Sequence, residues 1–190
     1  TLPTFRPRVQ FPSPAPINMN IIKKIKRKIS LIIIGLIKNM PFVWAMKIRN
    51  ACFKNVLKNM GENCNICDAV TVYCPENISL GDRVSVHQNS YIGGTGEINI
   101  GNHVAIANGA TIISETHNFS ETDKFIKDQG ITKKPISIED DVWLGSKVTI
   151  LGNTRIGKGA VIGAGSVVTK DIPSYAIAYG APCKVVRNRK

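Results

Sequence analysis

Aliphatic residues return every six positions over most of residues 66–170, at Ile66 and Val72, then Leu80, Val86 and Ile92, then Ile100, Ile106 and Ile112, and finally Ile138, Leu144, Ile150, Ile156, Ile162 and Val168. Glycine follows directly at positions 81, 93, 101, 145, 157 and 163. In the last block, Val142, Val148, Thr154, Ala160 and Ser166, all small or β-branched, stand four residues after an aliphatic. A helix repeats every 3.6 residues and a strand every two, so neither explains a period of six. A short strand plus a tight turn does, provided three such units close one triangular turn and successive turns stack at the inter-strand spacing of about 4.8 Å. The pattern predicts a mainly β chain, a parallel β-helix around a column of Ile, Leu and Val. Two irregularities interrupt it. The step from Ile92 to Ile100 is eight residues, which predicts a bulge around Gly93-Gly94-Thr95-Gly96, and the period lapses from Ile112 to Ile138. That lapse predicts a long loop over residues 114–135 with His117 at its root, and long loops on rigid scaffolds commonly carry function.

Upstream the periodicity changes. Ile21, Ile22, Ile25, Ile29, Ile32, Ile33, Leu36 and Met40 recur at steps of three and four, while Lys23, Lys24, Lys26, Arg27, Lys28 and Lys38 take the opposite arc. This is a basic amphipathic helix ended by Pro41. Residues 42–60, closed by Gly61, read as a second basic helix. The uncharged, largely apolar stretch from Ile29 to Ile37, bounded by Lys28 and Lys38, is nine residues, against the roughly 20 that a membrane span needs. The bulky run Asn39-Met40-Pro41-Phe42-Val43-Trp44 offers no small-x-small signal cleavage site. Such helices can lie on an anionic inner leaflet, cap the open end of the β-helix, or do both. Residues 1–18 contain five prolines and little apolar periodicity. They read as a disordered extension ahead of a natural start at Met19. The expected organisation is therefore 1–18 extension, 19–61 basic helical segment, 62–175 β-helix with loop 114–135, and 176–190 C-terminal tail.

Charge sharpens this division. The chain of 190 residues carries a net charge of +12, yet residues 1–61 hold twelve Lys or Arg and no acid, while residues 62–190 hold thirteen of each. A balanced body offers no basic stripe to follow phosphates, which argues against nucleic acid as a partner. The five cysteines, Cys52, Cys64, Cys67, Cys74 and Cys183, are an odd and scattered set, expected reduced in the cytoplasm. Cys64-Asn-Ile-Cys67 has no second pair at zinc-finger spacing, so no metal site is expected.

The repeat [LIV]-G-x-x-[STAV]-x resembles that of the hexapeptide-repeat acyltransferases, which form left-handed parallel β-helices. More narrowly, the chain from Ile98 to Val186 resembles the branch of galactoside, maltose and nodulation-factor O-acetyltransferases and polysaccharide O-acetyltransferases. The resemblance rests on Ile100-Gly-Asn-His-Val-Ala-Ile-Ala107, Thr116-His117, Asp141-Val-Trp-Leu-Gly-Ser146, the run from Val161 to Pro173, and Gly180-Ala-Pro-Cys-Lys-Val185. Acetyl transfer from a thioester to a hydroxyl needs a base for the hydroxyl proton, and neutral imidazole suits that task near pH 7. The resemblance implies that His117 is this base and that the backbone N–H of Ser146 is the oxyanion donor. It implies acetyl-CoA as acyl donor without a metal, held in a groove between neighbouring β-helices of a homotrimer. In that groove Trp143 and Ser146 would lie near the reactive end, Ala164 on the pantetheine arm, and Thr169, Lys170 and Arg187 towards the nucleotide.

The acceptor is less defined. His87 and Asn89 lie two residues apart on one coil, and His87 stands where the family often has asparagine, so the acceptor need not be a galactoside or maltose. The reading is an O-acetyltransferase acting on a sugar or glycan intermediate, in the cytoplasm or peripherally on the inner face of the membrane. Its alternatives are an antibiotic-modifying O-acetyltransferase, a γ-type carbonic anhydrase and a non-enzymatic scaffold. The carbonic anhydrase reading needs three converging histidines, whereas His87, His103 and His117 fall at different phases of the repeat.

Overall fold

The computed structural model describes residues 19–190. The expected 1–18 extension lies outside the described residues. Helix α1 spans Met19–Ile37 and helix α2 spans Val43–Val56. From Asn59 onward the chain winds as a parallel β-helix whose coils each place one strand on each of three faces. Face A stacks Asn59–Met60, Ile78–Leu80, Ile98–Ile100, Ile136–Ile138 and Thr154–Ile156. Face B begins at Asn65–Ile66 and runs through Ser85–Val86, Ala105–Ile106, Trp143–Leu144 and Val161–Ile162 to Ala176–Tyr179. Face C stacks Thr71–Tyr73, Tyr91–Gly93, Thr111–Ile113, Thr149–Leu151 and Val167–Val168.

The in-register pairing aligns the sixth-position aliphatics. On face B, Val86 pairs with Ile106, Ile106 with Leu144, and Leu144 with Ile162. These side chains, together with Ile112, Ile150 and Ile156, are completely buried. The small residues Val148, Ala160 and Ser166 are buried as well, at the corners where a larger side chain would not fit.

The corner between faces A and B solves a backbone problem the same way in successive coils. Arg83, His103 and Asp141, at the turn between faces A and B, adopt the left-handed conformation with φ of 56°, 57° and 59°. That geometry lets their amides donate back to the coil before: Arg83 N–H to Glu62 O, His103 to Asp82 O and Asp141 to Asn102 O. A ladder of side chains closes the same corner from the other side. The amides of Glu62, Asp82 and Asn102 donate at 2.8, 2.8 and 2.7 Å to Asp82, Asn102 and Asp140 Oδ1, one coil further on. Glycine precedes this ladder for space: a Cβ on Gly101 would stand 2.5 Å from Asp140 Oδ1.

Three boundaries differ from the sequence expectation. The first strand, Asn59–Met60, lies inside the stretch read as helical and pairs with Ile78–Leu80. The second helix ends at Val56, where Leu57 turns to extended backbone. Residues 176–190, read as a tail, extend the barrel of coils. Ala176–Tyr179 pairs parallel with Val161–Ile162, and Lys184–Asn188 folds back antiparallel on it.

Helix α2 inserts Phe53 and Val56 into the column, so the helical segment caps its open end. Arg49 is 2% exposed and ties the cap together, its Nη1 donating to Ile37 O and Met40 O at 3.0 and 2.8 Å and its Nε to Ile66 O at 3.4 Å. Helix α1 packs through Ser30, Ile34 and Ile37. The richer apolar stripe is turned outward: Ile21, Ile25, Ile29, Ile32 and Leu36 are all exposed, Leu36 at 72%. No helix among the described residues is long and apolar enough to cross a membrane.

Candidate active site

The loop over residues 114–135 leaves the corner between faces C and A as a hairpin. Glu115–His117 pairs antiparallel with Ile131–Lys133, setting His117 opposite Ile131. A buried anchor fixes its root: Ser114 Oγ donates to Gly93 O at 2.7 Å and accepts from Gly96 N–H at 2.9 Å. The bulge around residues 93–96 predicted from the eight-residue step is thus the seat of the hairpin. His117 is exposed on the strand.

Ser146 stands at a different corner, between faces B and C, one coil above Asn108. Its hydroxyl donates to Asn108 Oδ1 at 2.7 Å, and its carbonyl accepts from Gly165 N–H at 2.8 Å. The residue stacked above it is Ala164, whose N would lie 2.6 Å from a Cβ on Gly145. Alanine has no acceptor to offer, so the closure by Asp and Asn that seals the amides of Glu62, Asp82 and Asn102 has no counterpart over Ser146. A backbone N–H that no side chain closes is the kind of donor an oxyanion requires.

Trp143 projects from face B beside this corner and is 54% exposed. Across the same face it aligns with Val161 and Ile177, and Ile177 pairs with Arg187, so Trp143 and Arg187 share one row. The structure therefore groups Trp143, Ser146, Ala164 and Arg187 around face B and its edge. Thr169 and Lys170 are exposed at the corner between faces C and A, on the hairpin side. His87 and Asn89 are exposed at the corner of Ser146, two coils before it. Within one chain, His117 and Ser146 lie on opposite edges of face C, separated by strands of three residues, about 10 Å, and the flanking turns.

The remaining candidates separate clearly. His87, His103 and His117 occupy three different corners, and no group of three His, Cys, Asp or Glu suited to a metal occurs among the described residues. The five cysteines are unpaired. Burial pushes the Cys64 and Cys67 thiols up, and nearby Asp82 and Asp68 add to the effect, so neither is poised as a thiolate.

Comparison with known proteins agrees with this architecture. Residues 135–170 match the family described as bacterial transferase hexapeptide (six repeats). A galactoside O-acetyltransferase of Lactococcus lactis is 38% identical over 136 residues, 70% of this chain and 64% of that protein. A probable acetyltransferase of Mycobacterium tuberculosis is 39% identical over 132 residues, 69% of this chain and 44% of that protein. The chain thus spans between two fifths and two thirds of these curated relatives. A solved galactoside acetyltransferase in complex with coenzyme A superposes with a TM-score of 0.75 and 30% identity, covering 87% of this chain and 82% of its own. With repeat, fold and sequence in agreement over most of its length, the chain belongs to the hexapeptide-repeat acyltransferase family.

Proposed function

We propose that this protein is an acetyl-CoA-dependent O-acetyltransferase that modifies a hydroxyl of a sugar or glycan intermediate of the cell-surface polysaccharide type. The reading is carried by the Ser146 corner, where Ala164 supplies no side-chain acceptor to the Ser146 amide and Trp143 beside it is exposed. The relatives named as galactoside acetyltransferases support the sugar acceptor.

In the reaction, His117 takes the proton from the acceptor hydroxyl as its oxygen attacks the thioester carbonyl carbon. The Ser146 N–H donates to the carbonyl oxygen as it gains negative charge. When the C–S bond breaks, the proton held by His117 passes to the departing thiolate. Because His117 and Ser146 lie on opposite edges of face C, a single chain cannot bring both to one acetyl group. A homotrimer supplies the arrangement, each hairpin reaching the Ser146 edge of a neighbour. His87 and Asn89 on that edge face the acceptor, while Trp143, Ala164, Thr169, Lys170 and Arg187 hold the acyl donor.

The test is release of CoA from acetyl-CoA against a panel of free sugars, nucleotide sugars, oligosaccharides and lipid-linked glycans. Acetyl ester formation on at least one is expected. Transfer confined to antibiotic hydroxyls, or none at all, would replace this reading.

The helical cap adds a second element to the proposal. The outward row from Ile21 to Leu36, flanked by Lys23, Lys24, Lys26 and Lys28, suits the interface of an anionic bilayer on the inner face of the membrane, each cation contributing about 1 kcal/mol near the surface. The protein should sediment with vesicles rich in phosphatidylglycerol but not with phosphatidylcholine alone, and the double variant Ile25→Glu/Ile32→Glu should stay in the supernatant. Equal sedimentation of wild type and variant would remove the membrane contact from the proposal.

A further inference from the structure

The cations of the helical cap are not spread evenly over it. On α1, Lys23, Arg27, Ser30, Ile34 and Ile37 follow one another at steps of three and four and so share one face. The C-terminal part of that face packs on the body through Ser30, Ile34 and Ile37. Towards the N-terminus the same face turns cationic and borders a cleft of about 450 Å³. Lys23, Lys24, Lys26 and Arg27 line the cleft from α1, and Lys54 and Lys58 line it from the end of α2 and the turn that follows. Leu57, almost fully buried, supplies an apolar part of the lining. The exposed row from Ile21 to Leu36 occupies the other side of α1, so this cleft is separate from the membrane contact proposed above.

Six cations around one cleft repel one another, and the protein offsets only part of that. Arg27 Nη2 meets Glu76 Oε2 at 2.7 Å, Lys54 Nζ meets Glu62 Oε1 at 2.9 Å, and Lys58 Nζ meets Glu97 Oε1 at 2.5 Å. All six of these side chains are exposed, so each pair contributes little. Lys23, Lys24 and Lys26 have no acidic partner among the described residues. Lys23 and Arg27 stand one helical turn apart, as do Lys24 and Lys28, and like charges at that spacing weaken a helix. The first turn of α1 also carries no acid to complement its dipole. The negative charge that would balance this end of the molecule is missing from the chain itself, which points to an anion from outside.

We propose that the cleft between α1 and the end of α2 binds a diphosphate group, held by Lys23, Lys26 and Arg27 from one element and by Lys54 and Lys58 from the other. Cations reach the cleft from two elements, and a diphosphate, with oxygens on two phosphorus atoms, can bridge them where a single carboxylate would satisfy one. The three cations left over after the ion pairs match a diphosphate, which carries about two to three negative charges near pH 7. Lysine ammonium groups bind phosphate as point charges, and the one arginine adds a planar fork. The apolar Leu57 surface keeps water from screening these contacts fully. The site is independent of the acetyl-transfer reading, since it lies at the capped end of the column and uses none of the residues assigned to that reaction.

The test uses the full chain with saturating CoA present throughout, so that pyrophosphate cannot report on the donor groove. Inorganic pyrophosphate at about 100 times its Kd should raise the melting temperature by about 5–10 °C, whereas sulfate at matched ionic strength should raise it by less than about 2 °C. The double variant Lys23→Gln/Lys26→Gln removes two cations that lack an acidic partner. Without ligand it should melt at or slightly above the wild-type temperature, and by titration calorimetry it should bind pyrophosphate about 10- to 30-fold more weakly, as for two lost contacts of about 1 kcal/mol each. Farnesyl diphosphate separates the two sources of the group. Affinity about tenfold or more above that of pyrophosphate identifies a lipid-borne diphosphate, and equal affinity a soluble one. Sulfate stabilising as strongly as pyrophosphate, a double variant with wild-type affinity, or one that melts several degrees lower without ligand overturns the site.

Discussion

Replacing His117 with alanine should lower acetyl transfer to a saturating sugar acceptor by about 10²- to 10⁴-fold, the range expected for loss of a positioned general base. Its side chain is exposed on the Glu115–His117 strand and packs into no core, so the variant should unfold at nearly the wild-type temperature, as surface substitutions do. CoA release and thermal melting, measured on the same preparation, separate the two effects. A variant that turns over at more than a tenth of the wild-type rate would sink the assignment. A mixed oligomer sharpens the result. If His117 acts on a substrate held at the Ser146 edge of a neighbour, mixing His117→Ala chains with chains crippled at that edge should restore sites that neither parent forms alone.

The second large effect concerns folding. Arg49→Met keeps much of the side-chain volume but removes donors from Ile37 O, Met40 O and Ile66 O. Two of these carbonyls lie at and just beyond the C-terminal end of α1, where a cation also complements the helix dipole. Hydrogen bonds from a charged donor contribute about 1.5–3 kcal/mol each, and the long Nε contact adds little, so a loss of about 3–5 kcal/mol is expected. Chemical denaturation should show a lower midpoint, and limited proteolysis should cut near Asn39 as α1 detaches. An unchanged midpoint would show that the cap is held by packing alone.

Much of the column was legible because its rule is local. A period of six with Gly after the aliphatic allows few backbone solutions, and Ile106, Leu144, Ile150 and Ile162 are fully buried as that period requires. What escaped the sequence depends on neighbours that are distant along the chain. Which face of α1 packs on the coils was not legible: Ser30, Ile34 and Ile37 face inward, with Arg49 donating to Ile37 O, while Ile21, Ile25, Ile29, Ile32 and Leu36 stay exposed. The strand Ala176–Tyr179 was missed since the hexad stops before it, after Pro173 and Ser174 shift the phase.

The placement of charge at one end of the column has a mechanical consequence. Ten basic residues and no acid lie in residues 19–61, while the coils beyond are balanced, so the molecule carries an electric moment along its long axis. Near a negatively charged surface such a body experiences a torque as well as an attraction. It would stand upright on its helical end, with every coil at a fixed height. Clefts on the sides of the column would then open parallel to the surface, and an acceptor moving in two dimensions would arrive at the hairpin level without the enzyme having to turn towards it.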